Sequence, residues 1–129
     1  MSKKTVAQKL FIKDNYRVLF VNEPENYKSL LENIPKNVTV LKSPEDSIDL
    51  IQVFITSRKE LEEQLVRLKS FLTLKGLLWV TYPKGTSKMK VDINRDSINK
   101  FALSIGLKGV AMISVDDTWS ALRLKIIDN

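Results

Sequence analysis

The sequence predicts an open α/β domain of three layers: about six strands in one mostly parallel sheet, helices on both faces, and a last strand that runs antiparallel. Three observations carry this. Short apolar runs of β type alternate with segments whose apolar residues recur at helical spacing, the pattern that right-handed crossovers produce. The run from Ile48 to Ile55 is apolar nearly throughout, as expected of a parallel strand covered on both faces. The last two runs are separated only by Asp116-Asp117-Thr118, a connection short enough only for an antiparallel hairpin.

Thr5-Val6-Ala7-Gln8 has the pattern of a capping box and opens a short leading helix, Thr5 to Leu10. Tyr16 to Val21 is the first strand, a β-rich run too short for a normal helix. After Asn22-Glu23-Pro24, the residues Tyr27, Leu30, Leu31 and Ile34 form the one-sided stripe of an amphipathic helix that Pro35 stops. Strands follow at Val38 to Leu41 and Ile48 to Ile55. Ser57 and Glu60 form a second capping box, opening a helix with Leu61, Leu65, Leu68 and Leu72 on one face and Lys75-Gly76 as its end. Leu77 to Tyr82 is a buried-type strand, and Asn94 caps a helix with Ile98, Phe101, Ala102 and Ile105 inward and Gly106 as its left-handed stop. The hairpin strands are Val110 to Val115 and Trp119 to Ile126.

Composition narrows the function classes. A chain of 129 residues suits one domain, 1–129. With no Cys and no His, it has no disulfide, thiolate nucleophile, Cys-ligated zinc or imidazole base. No apolar run reaches membrane-spanning length and no secretory signal is visible, so a soluble, cytoplasmic protein without membrane contact is expected. The net charge of +6 marks a basic protein and raises the question of nucleic acid. The Lys residues are scattered from Lys3 to Lys125 with no Arg stripe or interleaved exposed aromatics, which argues against a specific nucleic-acid partner.

An open parallel sheet finished by a terminal hairpin is similar to the shell of a class I methyltransferase, a Rossmann-like fold. The resemblance implies the strand order 2-1-3-4-6-5. Three segments, Tyr82-Pro83-Lys84-Gly85, Asn94-Arg95-Asp96 and Val115-Asp116-Asp117-Thr118-Trp119-Ser120-Ala121-Leu122-Arg123, also resemble a family of small prokaryotic proteins of unknown function across nearly the whole chain. That resemblance implies a free-standing Rossmann-like domain and no transferable activity. Its pattern would place a glycine before the first strand, where this chain has Asn15, and another before the fourth strand, kept as Gly76.

Ligands of open α/β sheets bind at the carboxyl ends of the strands, and this rule gathers the candidate ligand-binding residues Asn22, Lys84, Gly85, Arg95, Asp96, Asp116, Asp117 and Trp119 on one rim. The first βα turn, Val21-Asn22-Glu23-Pro24-Glu25-Asn26, has no glycine, and its two carboxylates repel an anionic cofactor. Strand two ends in Leu41-Lys42, with no acid for a ribose hydroxyl, so no cofactor is expected. Pro83 to Lys88 is either an anion cradle or a solvated loop. Arg95 opposes the dipole of its helix and calls for an acid, which Asp96, Asp116 or Asp117 would supply as a structural ion pair, or else it binds a ligand. Asp92, Asp96, Asp116 and Asp117 could alternatively gather around Mg²⁺ or Ca²⁺, the cations that prefer oxygen ligands, though their spacing matches no known metal-binding loop and no metal is expected. Trp119 is read as core more than as a binding aromatic, and Trp79 as core.

The reading is a non-catalytic module that binds a small anionic ligand or a protein partner at this rim. The alternatives are an enzyme, as a divergent S-adenosylmethionine-dependent methyltransferase or a hydrolase using the rim carboxylates, and a homodimer formed through an exposed edge strand.

Overall fold

A computed structural model of the chain describes residues 5–25, 27, 31, 34–85 and 91–127. The six-stranded sheet has the order β2-β1-β3-β4-β6-β5, as expected. Its strands are β1 (Arg17–Val21), β2 (Thr39–Leu41), β3 (Ile48–Phe54), β4 (Leu72–Pro83), β5 (Leu107–Ser114) and β6 (Trp119–Ile126). β1 pairs in parallel with β2 and β3, and β3 with β4, while β6 lies antiparallel to both β4 and β5. The helices are α1 (Val6–Lys9), α2 (Arg58–Lys69) and α3 (Arg95–Ser104). Most of the amphipathic segment expected at residues 27–34, Leu30 included, lies outside the described residues, as do Thr86 to Lys88 of the candidate anion loop. Among the described residues no helix is long and apolar enough to cross a membrane.

Two apolar layers flank the sheet. On one face Ile51, Val53, Leu78, Val80, Leu122 and Leu124 pack with Leu61, Leu65 and Leu68 of α2 and Ile98 and Ala102 of α3. On the other, Val18, Phe20, Leu50, Phe54, Trp79 and Ala121 pack with Ala7 and Leu10 of the leading helix and its cap and with Tyr27 and Leu31. Strand alternation sorts the residues this way, since successive side chains leave opposite faces. Trp79 also donates its indole N–H to the Leu10 carbonyl at 3.0 Å, which pins α1 to the sheet.

The helix starts are those read from the sequence. Thr5 and Gln8 close a reciprocal capping box, and so do Asn94 and Ser97. At α2 the Ser57 hydroxyl accepts from Glu60 N–H, but the Glu60 carboxylate reaches one residue further back than a capping box requires, to Thr56 N–H at 2.9 Å and Thr56 Oγ1 at 2.8 Å. The end of α2 is a correction. The helix stops at Lys69, and Leu72 enters β4 opposite Ile48 instead of ending the helical stripe. From Leu72 to Leu77 the strand advances five residues while β3 advances two, from Ile48 to Leu50. Gly76 sits in that irregularity, where a Cβ would stand 3.0 Å from the Thr73 carbonyl and 3.2 Å from that of Ile48. β5 likewise begins at Leu107, three residues before the expected Val110, where it pairs with Ile126, and its ladder carries a bulge at Gly109–Ala111.

Asn15, in place of the glycine that the family resemblance implied, takes φ 69°. Asparagine tolerates the left-handed region because its short amide can bond locally, so the turn into β1 survives the change. Gly106 closes α3 at φ 83°, as expected.

Candidate functional site

The rim is built from the carboxyl ends of β1, β3, β4 and β5, and it divides into two unlike halves. At the first, β1 ends at Val21 and Asn22 turns the chain at φ 59°. Tyr27 N–H donates to the Pro24 carbonyl at 3.0 Å, which folds the tyrosine back over the strands. Its ring stands edge-on to Phe20 at 5.8 Å and to Phe54 at 4.8 Å, and Phe54 stands edge-on to Trp119 at 5.1 Å. Beneath this stack runs a chain of buried polar groups. The Tyr27 hydroxyl donates to Gln52 Oε1 at 2.7 Å, and Gln52 Nε2 donates to Thr81 Oγ1 at 3.0 Å. Both Gln52 and Thr81 are 0% exposed, so the chain satisfies groups that would otherwise be costly to bury. Burial pushes the Tyr27 hydroxyl above its ordinary pKa; the Gln52 bond opposes this, and the charges of Asp116 and Glu23 add to it. Tyr27 is therefore a neutral donor in the core.

The second half faces α3. Lys84 continues the β4–β6 pairing, its N–H donating to the Thr118 carbonyl at 2.7 Å, and its ammonium donates to Ser114 Oγ at 2.6 Å. Lys9 reaches the Ser114 carbonyl at 3.2 Å, so two ammonium groups meet at the end of β5. Ser114 offers them only neutral oxygens, and their charge is left uncompensated by it. At the start of α3 the Arg95 guanidinium pairs with Asp96 at 3.8 Å, with the two side chains 65% and 90% exposed. That is the acid the helix dipole called for, though a pair so exposed contributes little. Tyr82 lies between these groups: burial raises its hydroxyl pKa, Arg95 opposes the rise and Asp96 adds to it. Its hydroxyl also contacts Met112 Sδ at 3.7 Å.

Between α3 and β5 lies a cleft of about 340 Å³, lined by Arg95, Asp96, Asn99, Gly109, Val110, Ala111, Met112 and Leu122. It has a charged mouth and an apolar wall. Asn99 fixes its depth by accepting the Gly109 N–H on Oδ1 at 2.9 Å.

The remaining candidates have identifiable places. Asp116 holds the hairpin turn, its Oδ1 accepting the N–H groups of Thr118 and Trp119 at 2.8 Å each. Asp117 is exposed on the same turn. Asp92 accepts the Arg58 N–H at 2.7 Å and so serves the start of α2. Among the described residues no group of three or more acidic side chains is placed to hold a metal ion. Gly85 keeps ordinary backbone and a Cβ there would meet nothing, so the conformational freedom expected of it is not used. Trp119 is half-buried against Phe54, and Asn22 is exposed beside Glu23. Thus Lys84 and the Asp116 turn come together, Arg95 and Asp96 share the cleft, and Asn22 stands on the other half of the rim. Reasoning from sequence missed Asn99, Met112, Ser114 and Lys9. Gly109, just before the run read as a strand from Val110, was the one available signal of a close approach.

No family model and no curated protein sequence matches the chain. Solved structures do. A SAM-dependent methyltransferase from Aquifex aeolicus superposes with a TM-score of 0.69 at 14% identity, over 95% of this chain and 88% of that one. The ribosomal protein L11 methylase of Lactobacillus delbrueckii subsp. bulgaricus gives 0.61 at 12% identity, over 95% and 76%. The structure of a DhpI–SAH complex gives 0.62 at 11%, over 96% and 84%. The chain has the class I methyltransferase-like Rossmann fold, and at these identities the likeness concerns the fold alone.

Proposed function

We propose that this chain is a non-catalytic module on a methyltransferase-like shell, and that it binds a small anionic ligand on the α3 side of the rim. One observation supports the reading: Arg95 stands at the mouth of a cleft of about 340 Å³ whose wall is apolar, Lys84 is bonded to Ser114 two residues beyond the lining Met112, and the crevice above β1 and β3 is occupied by the protein's own aromatic rings. Strand alternation supports the grouping, because Lys84 shares its side of the sheet with Tyr82, and Ser114 shares its side with Met112. An anionic head, a phosphate or carboxylate, would take charge-assisted bonds from the Lys84 ammonium and the Arg95 guanidinium. A short apolar body would rest on Ala111, Met112 and Leu122. Glu23 and Glu25 disfavour an anion on the opposite half of the rim.

The test is a thermal-shift panel of phosphorylated and carboxylated metabolites, S-adenosylmethionine and S-adenosylhomocysteine. A ligand at 100 times its dissociation constant adds about 2.7 kcal/mol. This reading expects shifts with anionic compounds that Lys84→Ala and Arg95→Ala each abolish.

A second reading, methyl transfer from S-adenosylmethionine, is favoured by the fold, since the similar structures include methyltransferases and one described as a complex with SAH. In that case the turn at Asn22–Glu25 would receive the cofactor, and the S-adenosyl compounds would stabilise the protein irrespective of Lys84 and Arg95.

A further inference from the structure

We infer that β5 is a self-pairing edge, and that two copies of this chain join their sheets through it about a two-fold axis near Met112. β5 is the last strand of the sheet, eight residues from Leu107 to Ser114, whereas the opposite edge, β2, has three. Long free edges are the ones that recruit another strand.

The backbone phase is set by the hairpin. Val115 N–H donates to the Trp119 carbonyl at 3.0 Å, so the antiparallel alternation turns the N–H and C=O groups of Met112 and Ser114 away from β6. The Lys9 ammonium on the outward Ser114 carbonyl fits this phase. At the other end the Asn99 amide takes the Gly109 N–H and closes that part of the edge. The residues whose backbone groups face outward in phase are therefore Met112 and Ser114, the bulge at Gly109–Ala111 breaking the alternation before them, and a two-fold at Met112 forms the doubly bonded Met112–Met112 pair of an antiparallel ladder.

The side chains are complementary to themselves in that register. Val110 and Met112 are each 39% exposed, and Leu103 on the adjoining helix is 49% exposed, giving an apolar centre. Lys108 precedes it and the Asp116–Asp117 turn follows it, all exposed. Antiparallel pairing brings Lys108 of each copy beside the acidic turn of the other, so the same attraction occurs twice, as a two-fold interface requires. An arbitrary acidic or basic peptide would satisfy only one end of this pattern, which is why the occupant is a second copy.

Sedimentation velocity of the full chain, from micromolar to millimolar concentration, tests the inference. A dimer of twice the 14.8 kDa chain mass is expected. Met112→Lys should raise its dissociation constant at least about tenfold, because like charges then face each other across the axis. Lys108→Glu and Asp117→Lys should each weaken the dimer, and the two together should restore it, with circular dichroism unchanged throughout. A wild type that stays monomeric at millimolar concentration overturns the inference, and so does a dimer indifferent to Met112→Lys or to the charge exchange.

Discussion

Asn99 accepts the Gly109 N–H at 2.9 Å, and a Cβ built on Gly109 would stand 2.9 Å from that same amide oxygen. One contact thus explains both residues: the glycine admits the amide, and the amide satisfies an outward N–H of β5. Gly109→Ala is expected to cost about 1–3 kcal/mol through overpacking, since Leu122 also stands 3.3 Å from the added atom. Asn99→Ala is expected to cost about 1 kcal/mol for the lost bond. Urea denaturation of both and of the double variant checks this. The double should cost less than the sum, because removing the amide relieves most of the clash.

Asp116 is held to a structural role by its two 2.8 Å bonds to Thr118 and Trp119 N–H. Asp116→Ala should lower stability by about 1–2 kcal/mol, while Asp116→Asn, which keeps the accepting oxygen, should retain most of it. Equal losses in the two variants, read from denaturation midpoints, would show that the charge matters more than the turn.

The buried chain from Tyr27 through Gln52 to Thr81 makes a prediction for Thr81→Val. It strands the Gln52 amide in a region where both residues are 0% exposed, at a cost of about 1–3 kcal/mol by chemical denaturation. Tyr27→Phe should behave similarly, by orphaning Gln52 Oε1.

Alkaline pH probes the same tyrosine. Its folded-state pKa lies above the unfolded value of 10.0, so the folded chain holds the proton after the unfolded chain has released it. Stability is therefore unaffected by this group below about pH 10 and falls as pH rises beyond it, in the direction linkage requires when the native state binds more protons. Tyr82, also raised by burial, acts in the same sense. Unfolding free energies measured across this range should fall less steeply in Tyr27→Phe, and an unchanged slope would contradict the assignment.

Much of the fold was legible because its signals are local. The capping residues Thr5 and Asn94, the stop at Gly106 and the short Asp116–Thr118 connection each act within a few residues, and with the resemblance to the methyltransferase shell they yield the strand order. Leu72 was misassigned because a leucine continues a helical stripe as readily as it opens a strand, and only pairing with Ile48 decides between them. The rim was legible as a location, since strand ends mark it. Its division was not. Tyr27 and Gln52 are 25 residues apart in sequence and Lys84 and Ser114 are 30, and no periodicity reports which distant side chains meet.

The most direct test of the anion-binding reading is amide chemical-shift mapping of the isotopically labelled chain, titrated separately with inorganic phosphate and S-adenosylhomocysteine. The account predicts saturable shifts with phosphate at Lys84, Arg95, Met112 and Ser114, with the amides of Asn22, Glu23 and Thr56 unmoved. Saturable shifts with S-adenosylhomocysteine centred on Asn22, Glu23 and Thr56, and none with phosphate, would contradict it and identify the chain as a cofactor-binding member of the fold it shares.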